Sequence, residues 1–299
     1  MRVRLDPRDD KHPLRDAEGR LGLGRLGTRF HSRGALVLTD MSRAALVTGA
    51  SSGLGEEFAR LFAVDGVDLV LVARRRERLE ALAGELRTAR KVAVHVVSAD
   101  LAVPEQVERV IREVQALPVE IEFLVNNAGL GNVGAFAGSE LQTQLVMVDV
   151  NIRALVRLTH AFLPGMLARK KGRVLNIGSI AGLQPGPFGA VYYATKAFVN
   201  SFTEALSHEL KGTGVTATVS LPGATATEFA SVAGSGSTRL FRSGVMSSSE
   251  VARDAYRAMN RGTPFVIHGF MNRMLAFSVR LGPRSVIRSI AAGMNKPAG

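Results

Sequence analysis

Cysteine and tryptophan are both missing from this 299-residue chain, and tyrosine occurs only three times. Without thiols there is no disulfide framework and no thiolate metal site, so no metal is expected. No apolar run reaches the ~18 residues that a membrane span needs. The N-terminal residues are charged and lack the apolar core of a secretion signal, so the expectation is a cytoplasmic protein. Acidic residues are also short, 26 against 38 Lys and Arg, which leaves a net charge of +12. That balance suits anionic partners. The basic residues are scattered, however, and the few stacking surfaces argue against nucleic acid. A phosphorylated cofactor needs only a few of these charges.

What is present supports a folded body. A hydrophobic content of 46% with 21% charged residues is enough for a sizeable core in one large α/β domain or two small ones. The stretch that organises the rest is Tyr192-Tyr193-Ala194-Thr195-Lys196. Apolar residues at Ala194, Ala197, Phe198, Phe202, Ala205 and Leu206 recur every three or four positions, which predicts a helix from Tyr192 to Leu210. Positions four apart share a helix face, so Tyr192 and Lys196 point the same way. A phenol with a pKa of about 10 is a poor proton donor at neutral pH, and a fixed ammonium nearby pulls that value down. Tyr193 lies about 100° away around the helix.

Residues 1–41 are rich in Arg, Asp and Gly without apolar periodicity, and read as a disordered extension. Inside them Gly22-Leu23-Gly24-Arg25-Leu26-Gly27 matches a dinucleotide fingerprint, but no apolar strand precedes it, so it is a decoy. Ala44 to Val47 is a short buried strand, followed by Thr48-Gly49-Ala50-Ser51-Ser52-Gly53-Leu54-Gly55 and a helix to about Val64. Here the strand-turn-helix setting is right. Glycine lets the backbone approach a pyrophosphate, and the helix N-terminus offers unpaired N–H groups. The same residues fit the hydrolase elbow G-x-S-x-G with Ser51 as nucleophile; that reading is disfavoured because a hydrolase elbow follows several strands rather than the first.

The second strand, Val67 to Ala73, ends without the Asp or Glu that would hold an NAD ribose. Arg74, Arg75 and Arg76 follow it. Arg74, beside the missing acid, is expected to bind a 2′-phosphate, which favours NADP, while Arg75 and Arg76 read as the start of a solvated helix face. Val92 to Val97 is a third strand running to Asp100-Leu101, where the carboxylate is placed to meet an adenine amino group. Pro104 opens a helix to about Ala116. Ile121 to Val125 leads into Asn126-Asn127-Ala128-Gly129, and one helix is expected from Leu141 through Leu167 with Asn151 inside it. Arg173 to Ile177 is a fifth strand with Ser179 just beyond its end, where open α/β sheets bind ligands. Val215 to Leu221 is the sixth, closed by Pro222-Gly223 and Thr225 to Thr227. The Gly- and Ser-rich region of about 225–249 suits a lid. A helix from Ser249 to Asn260 and a strand from Thr263 to His268 complete the body. From 271 to 299 the chain is apolar and basic, with Arg273, Arg280, Arg284 and Arg288 on one helical face. The first reading is a tail helix packed on the body; the alternative is weak contact with a membrane surface.

Taken together, Thr48-Gly49-x-x-x-Gly53-x-Gly55, Asn126-Asn127-Ala128-Gly129, Asn151, Ser179, Tyr192-x-x-x-Lys196 and Pro222-Gly223 resemble the short-chain dehydrogenase/reductase family over about residues 42–270. The resemblance implies a doubly wound Rossmann fold with a seven-stranded parallel sheet. It implies NADP(H)-dependent hydride transfer on a carbonyl or secondary alcohol. Tyr192 would be the acid/base, Lys196 would lower its pKa and hold the nicotinamide ribose, Ser179 would hold the carbonyl oxygen and Asn151 would anchor a water. Gly49, Ser51, Ser52, Gly53, Leu54, Gly55, Arg74, Asp100, Leu101, Asn127, Ala128, Gly129, Pro222, Gly223, Thr225 and Thr227 would line the cofactor with Tyr192 and Lys196. Leu183, Phe188, Phe136, Phe229 and Met246 are candidates for an apolar substrate pocket, which suggests a lipophilic small molecule. A homodimer or homotetramer is expected by analogy. The rival readings are a catalytically quiet NADP-binding protein and the Ser51 hydrolase.

Overall fold

Apolar runs that are buried on both sides must be covered on both faces, and the amphipathic helices between them supply the cover. The computed structural model describes residues 41–229 and 245–296. Its strands are β1 (Ser42–Thr48), β2 (Asp68–Ala73), β3 (Val94–Ser98), β4 (Val119–Asn126), β5 (Gly172–Ile177), β6 (Val215–Leu221) and β7 (Phe265–Ile267). All pair in parallel, in the order β3-β2-β1-β4-β5-β6-β7. This is the expected doubly wound Rossmann sheet. The extension, the decoy within it and most of the expected lid lie outside the described residues.

The helices are α1 (Gly53–Val64), α2 (Arg76–Arg90), α3 (Pro104–Gln115), α4 (Leu141–Val148), α5 (Leu155–Arg169), α6 (Ala190–Glu209), α7 (Ser248–Asn260), α8 (Phe270–Leu281) and α9 (Arg284–Asn295). Phe58, Phe62, Leu79 and Met259 bring α1, α2 and α7 onto one face of the sheet. Val110, Val114, Leu158, Met166 and Leu206 bring α3, α5 and α6 onto the other. Each such side chain contributes about 1.5–3 kcal/mol on burial, so the two cores hold the strand ends rigidly. Strand order reverses between β1 and β4, which opens a crevice at the C-terminal edge of the sheet.

Two regions differ from expectation. The single helix predicted from Leu141 through Leu167 is interrupted by a π-helical turn, Asp149–Ala154. The wider turn rotates Asn151 inward, where it is 2% exposed. A single such turn shifts the helical phase by only about one residue, too little to stand out in a short apolar pattern. The C-terminal segment expected as one helix packed on the body forms two, α8 and α9, in the same compact unit as the sheet, because Pro283 breaks the run. Ala276, Ile287, Ala291 and Asn295 are buried on their inner faces.

Candidate active site

Glycine spacing builds the first wall. Gly49 and Gly53 have φ of +66° and +57°, a region open to glycine and strained for other residues. A Cβ on Gly55 would overlap the carbonyl oxygen of Gly49, so the third glycine lets α1 start against the turn rather than facing the crevice. Thr48 Oγ1 accepts the N–H groups of Asn127 and Ala128, each at 3.0 Å. The Asn127 side chain donates back to Thr48 O at 2.9 Å. These bonds tie the β1 turn to the end of β4.

Arginine 75, not expected at the site, is bound into this turn. Its guanidinium donates to Ser51 Oγ at 3.1 Å, to Ser52 Oγ at 2.9 Å and to Glu228 at 2.7 Å. Arg78 donates to the second Glu228 oxygen at 2.6 Å. Hydrogen bonds from Arg78 first, then Arg75, pull the Glu228 carboxyl down to a pKa of about 2. Arg74 also lines the crevice but is exposed, and its backbone carbonyl accepts from Ser98 at 3.1 Å. The solvated-face reading therefore holds for Arg76, which pairs with Glu80, and fails for Arg75. Arg75 is the residue preceding α2, and the turn bends its side chain back over α1. Among the described residues Ser51 Oγ is partnered by Arg75 and by no imidazole, so the hydrolase reading lacks a base.

At the other end, Tyr192 and Lys196 lie one turn apart on α6, which starts two residues earlier than expected. Lys196 Nζ donates to Ile177 O at 2.7 Å and lies 6.0 Å from the centre of the Tyr192 ring. Burial pulls the Lys196 ammonium down to a pKa of about 8. Burial also pushes the Tyr192 phenol up to about 12, with the Ser179 hydrogen bond opposing it. The predicted lowering of Tyr192 by Lys196 is thus not found in the protein alone: desolvation disfavours both charges, and the ammonium is committed to a backbone carbonyl. Ser179 Oγ donates to Pro222 O at 3.3 Å and accepts Ala181 N–H at 3.1 Å.

Asn151 does not line the crevice. Its side-chain oxygen accepts Leu130 N–H at 2.8 Å, and its amide donates to Leu130 O and Thr195 Oγ1, both at 2.9 Å. It thereby clamps the loop after β4 onto α6. A Cβ on Gly129 would sit 3.4 Å from both Asn151 Oδ1 and Lys196 Nζ, so these groups converge on one point. Asn200, which sequence reasoning missed, donates to Ser179 O at 3.0 Å and holds the serine in register. Its position midway along a long helix carries no sequence signal.

One cavity of about 370 Å³ joins the two ends. Every expected cofactor residue except Gly55 lines it, as do Ser179, Tyr192 and Lys196. Of the expected apolar pocket, Leu183 and Phe229 contribute, with Phe229 5.5 Å from Tyr192 between ring centres. Phe136 is 61% exposed on a surface turn. Phe188 is held in a turn by the bond from Gly134 N–H, and Met246 packs against Asn272, so neither lines the cavity. The remaining wall comes from α8 and α9 through Leu275, Ala276, Val279, Ala291, Met294 and Asn295. Tyr193 donates to Asn295 Oδ1 at 3.0 Å, and Asn295 donates to Pro187 O at 3.0 Å, which latches α9 over the cavity.

Residues 43–237 match the family model described as short chain dehydrogenase. A sulfoacetaldehyde reductase of Chromohalobacter salexigens is 43% identical over 191 residues, spanning 63% of this chain and 75% of that protein. The NADP-dependent 3-hydroxy acid dehydrogenase of Salmonella typhi is 40% identical over 191 residues, spanning 62% and 75%. Among solved structures, a short-chain dehydrogenase from Sphingobium yanoikuyae in complex with NADPH has a TM-score of 0.72 at 35% identity, covering 82% of this chain and 96% of that one. The bulky-bulky ketone specific alcohol dehydrogenase from Comamonas testosteroni has a TM-score of 0.68 at 33% identity, covering 84% and 96%. With the sheet order, the glycine turn and the Ser179–Tyr192–Lys196 cluster, these likenesses make this chain a member of the short-chain dehydrogenase family.

Proposed function

We propose that this protein is an NADP(H)-dependent oxidoreductase that moves a hydride between nicotinamide and a carbonyl or secondary alcohol of a lipophilic small molecule. The observation that carries this is the single cavity with a glycine turn and arginines at one end and Ser179, Tyr192 and Lys196 at the other. A dinucleotide fits the first end: Gly49 and Gly53 let the turn close onto Asn127, Ala128 and Thr227 without a side chain in the way, and α1 presents its N-terminus to the crevice. Arg74 and Arg75 would bind the 2′-phosphate, Asp100 and Leu101 the adenine, and Asn127, Ala128, Gly129, Pro222, Gly223, Thr225 and Thr227 the remainder. When bound, the cofactor supplies the hydride.

The chain's own residues manage the proton. Ser179 and Tyr192 line the same end of the cavity, so a carbonyl oxygen held between their hydroxyls would be polarised by both once Ser179 Oγ turns from Pro222 O. Tyr192 gives its phenolic proton to that oxygen in reduction and takes it back in oxidation. Its raised pKa keeps the phenol protonated at neutral pH but makes it a weak acid, so it gives up its proton only as negative charge builds on the substrate oxygen during hydride arrival. Lys196, one turn away on α6, would stabilise the phenolate left behind only once its ammonium shifts from Ile177 O towards it. Asn151 acts as a positioning residue, since its bonds hold Leu130 and Thr195. Tyr193 is engaged by Asn295, which leaves Tyr192 as the donor facing the cavity.

Leu183, Phe229, Leu275, Val279 and Met294 give the substrate region an apolar lining. Apart from Lys196, the basic lining residues among those described are Arg74 and Arg75, at the glycine end. A small anionic substrate would find little to bind; a bulky apolar ketone or aldehyde would displace water from this wall. Leu145 and Phe198 remain exposed on α4 and α6, which supports a homo-oligomer formed through the long helices. The test is NADPH oxidation against a panel of apolar ketones and aldehydes, with NADH in parallel. Turnover with NADPH is expected. Tight NADPH binding without turnover on any carbonyl would favour a catalytically quiet NADP-binding protein.

A further inference from the structure

The two C-terminal helices present apolar side chains on both faces, and only one face has a use inside the protein. At about 100° per residue, Phe270, Met274, Phe277 and Leu281 fall within an arc of about 60° on α8. They are 51–72% exposed. Leu275, Ala276 and Val279, which wall the cavity, point roughly the opposite way. Val286 and Ile290 extend the exposed apolar surface onto α9 at 50% and 56% exposure. A contiguous outward patch of this kind marks an interaction surface.

Charge selects the occupant. After Asp254 the chain contains no acidic residue, while Arg273, Arg280, Arg284, Arg288 and Lys296 all lie on or beside these helices. Arg273 and Arg280 flank the stripe on one side. No ion pair engages Arg273, Arg280, Arg284 or Arg288 among the described residues. An antiparallel pairing of two copies through the stripe would gather Arg273 and Arg280 of both on one side of the seam, with no carboxylate to offset them. Phosphate headgroups beside acyl chains match both features, apolar stripe and cationic flank. No helix of the described residues is long and apolar enough to cross a membrane.

We propose that the outer face of α8 and α9 docks on an anionic phospholipid surface, so that the cavity on their inner face takes lipophilic substrates from the bilayer. The docking stands on the surface alone; the delivery of substrate rests on the function proposed above. The test is co-sedimentation of the full chain with vesicles of mixed phosphatidylcholine and phosphatidylglycerol, against phosphatidylcholine alone. Binding to the mixed vesicles only, weakened by high salt, is expected. Phe277→Ser with Leu281→Ser should abolish it. Arg273→Ser with Arg280→Ser should weaken it about fivefold per arginine, and serves if the apolar variant does not fold. Equal binding of the wild type and the arginine variant, or no binding to the mixed vesicles, would overturn the proposal. So would a wild-type dimer by light scattering that becomes monomeric in the Phe277→Ser, Leu281→Ser variant. Reduction of a water-soluble ketone without vesicles reads the proposed function separately: its absence with vesicle binding intact removes the enzyme and leaves the docking surface.

Discussion

Replacing Lys196 by Met should make the cofactor-free protein more stable while removing its activity. Lys196 is 5% exposed, and the bond to Ile177 O at 2.7 Å does not offset its loss of water. Burial lowers its pKa from 10.5 to about 8. At about 1.36 kcal/mol per pH unit, this difference costs on the order of 3 kcal/mol of stability below pH 8, where both folded and unfolded chains carry the proton. Methionine has a similar length and no charge. It leaves the Ile177 carbonyl without that donor, a loss of about 1–2 kcal/mol. The net gain is about 1–2 kcal/mol, or a Tm higher by about 2–8 °C. The sign with pH is fixed by the folded pKa lying below the unfolded one. Wild-type stability rises relative to the variant between pH 8 and 10.5, so the variant's advantage should fade there. Thermal melts of both proteins without cofactor, near neutral pH and again near pH 10, check this. A variant that melts lower at neutral pH, or a difference that does not change with pH, would refute the reasoning.

Other outcomes follow from the same geometry. Arg75→Ala should weaken NADPH more than NADH in a fluorescence titration, and more than Arg74→Ala does, because Arg75 is pinned between Ser51, Ser52 and Glu228; equal losses for both cofactors would remove its phosphate role. Asn295→Ala breaks the bonds to Tyr193 and Pro187 that hold α9. It should raise KM for bulky apolar substrates severalfold with little change in NADPH binding, and steady-state kinetics on a large and a small ketone reads the difference.

The sequence showed where the backbone had to do something unusual. Gly49, Gly53 and Gly55 after an apolar strand forecast the β1–α1 turn, because the first two adopt a left-handed conformation and the third leaves no room for a Cβ. Tyr192 and Lys196 were visible because helical spacing alone puts them on one face. Contacts made across the fold left no such trace. Arg75 looks like its neighbour Arg76 until the turn carries it over Ser51. Asn151 reads as a stray polar residue until the π turn swings it onto Leu130 and Thr195. The C-terminal segment was legible as a basic helix packed on the body, but not that its inner face would wall the cavity, because a helical pattern does not say what it packs against. Even the Tyr192–Lys196 pair was only half legible: spacing gives proximity, whereas the direction of the pKa change depends on burial.

The central claim is that Tyr192 moves the proton. The direct measurement is the rate of NADPH oxidation by Tyr192→Phe with whichever apolar ketone the wild type reduces, alongside NADPH binding to both proteins. Ring packing against Phe229 and Tyr193 is kept in the variant, so NADPH should bind nearly as before. Turnover should fall by about 10²–10⁴, the usual contribution of a positioned acid. A variant with wild-type turnover would mean that another group protonates the substrate, and the account of this site would fail.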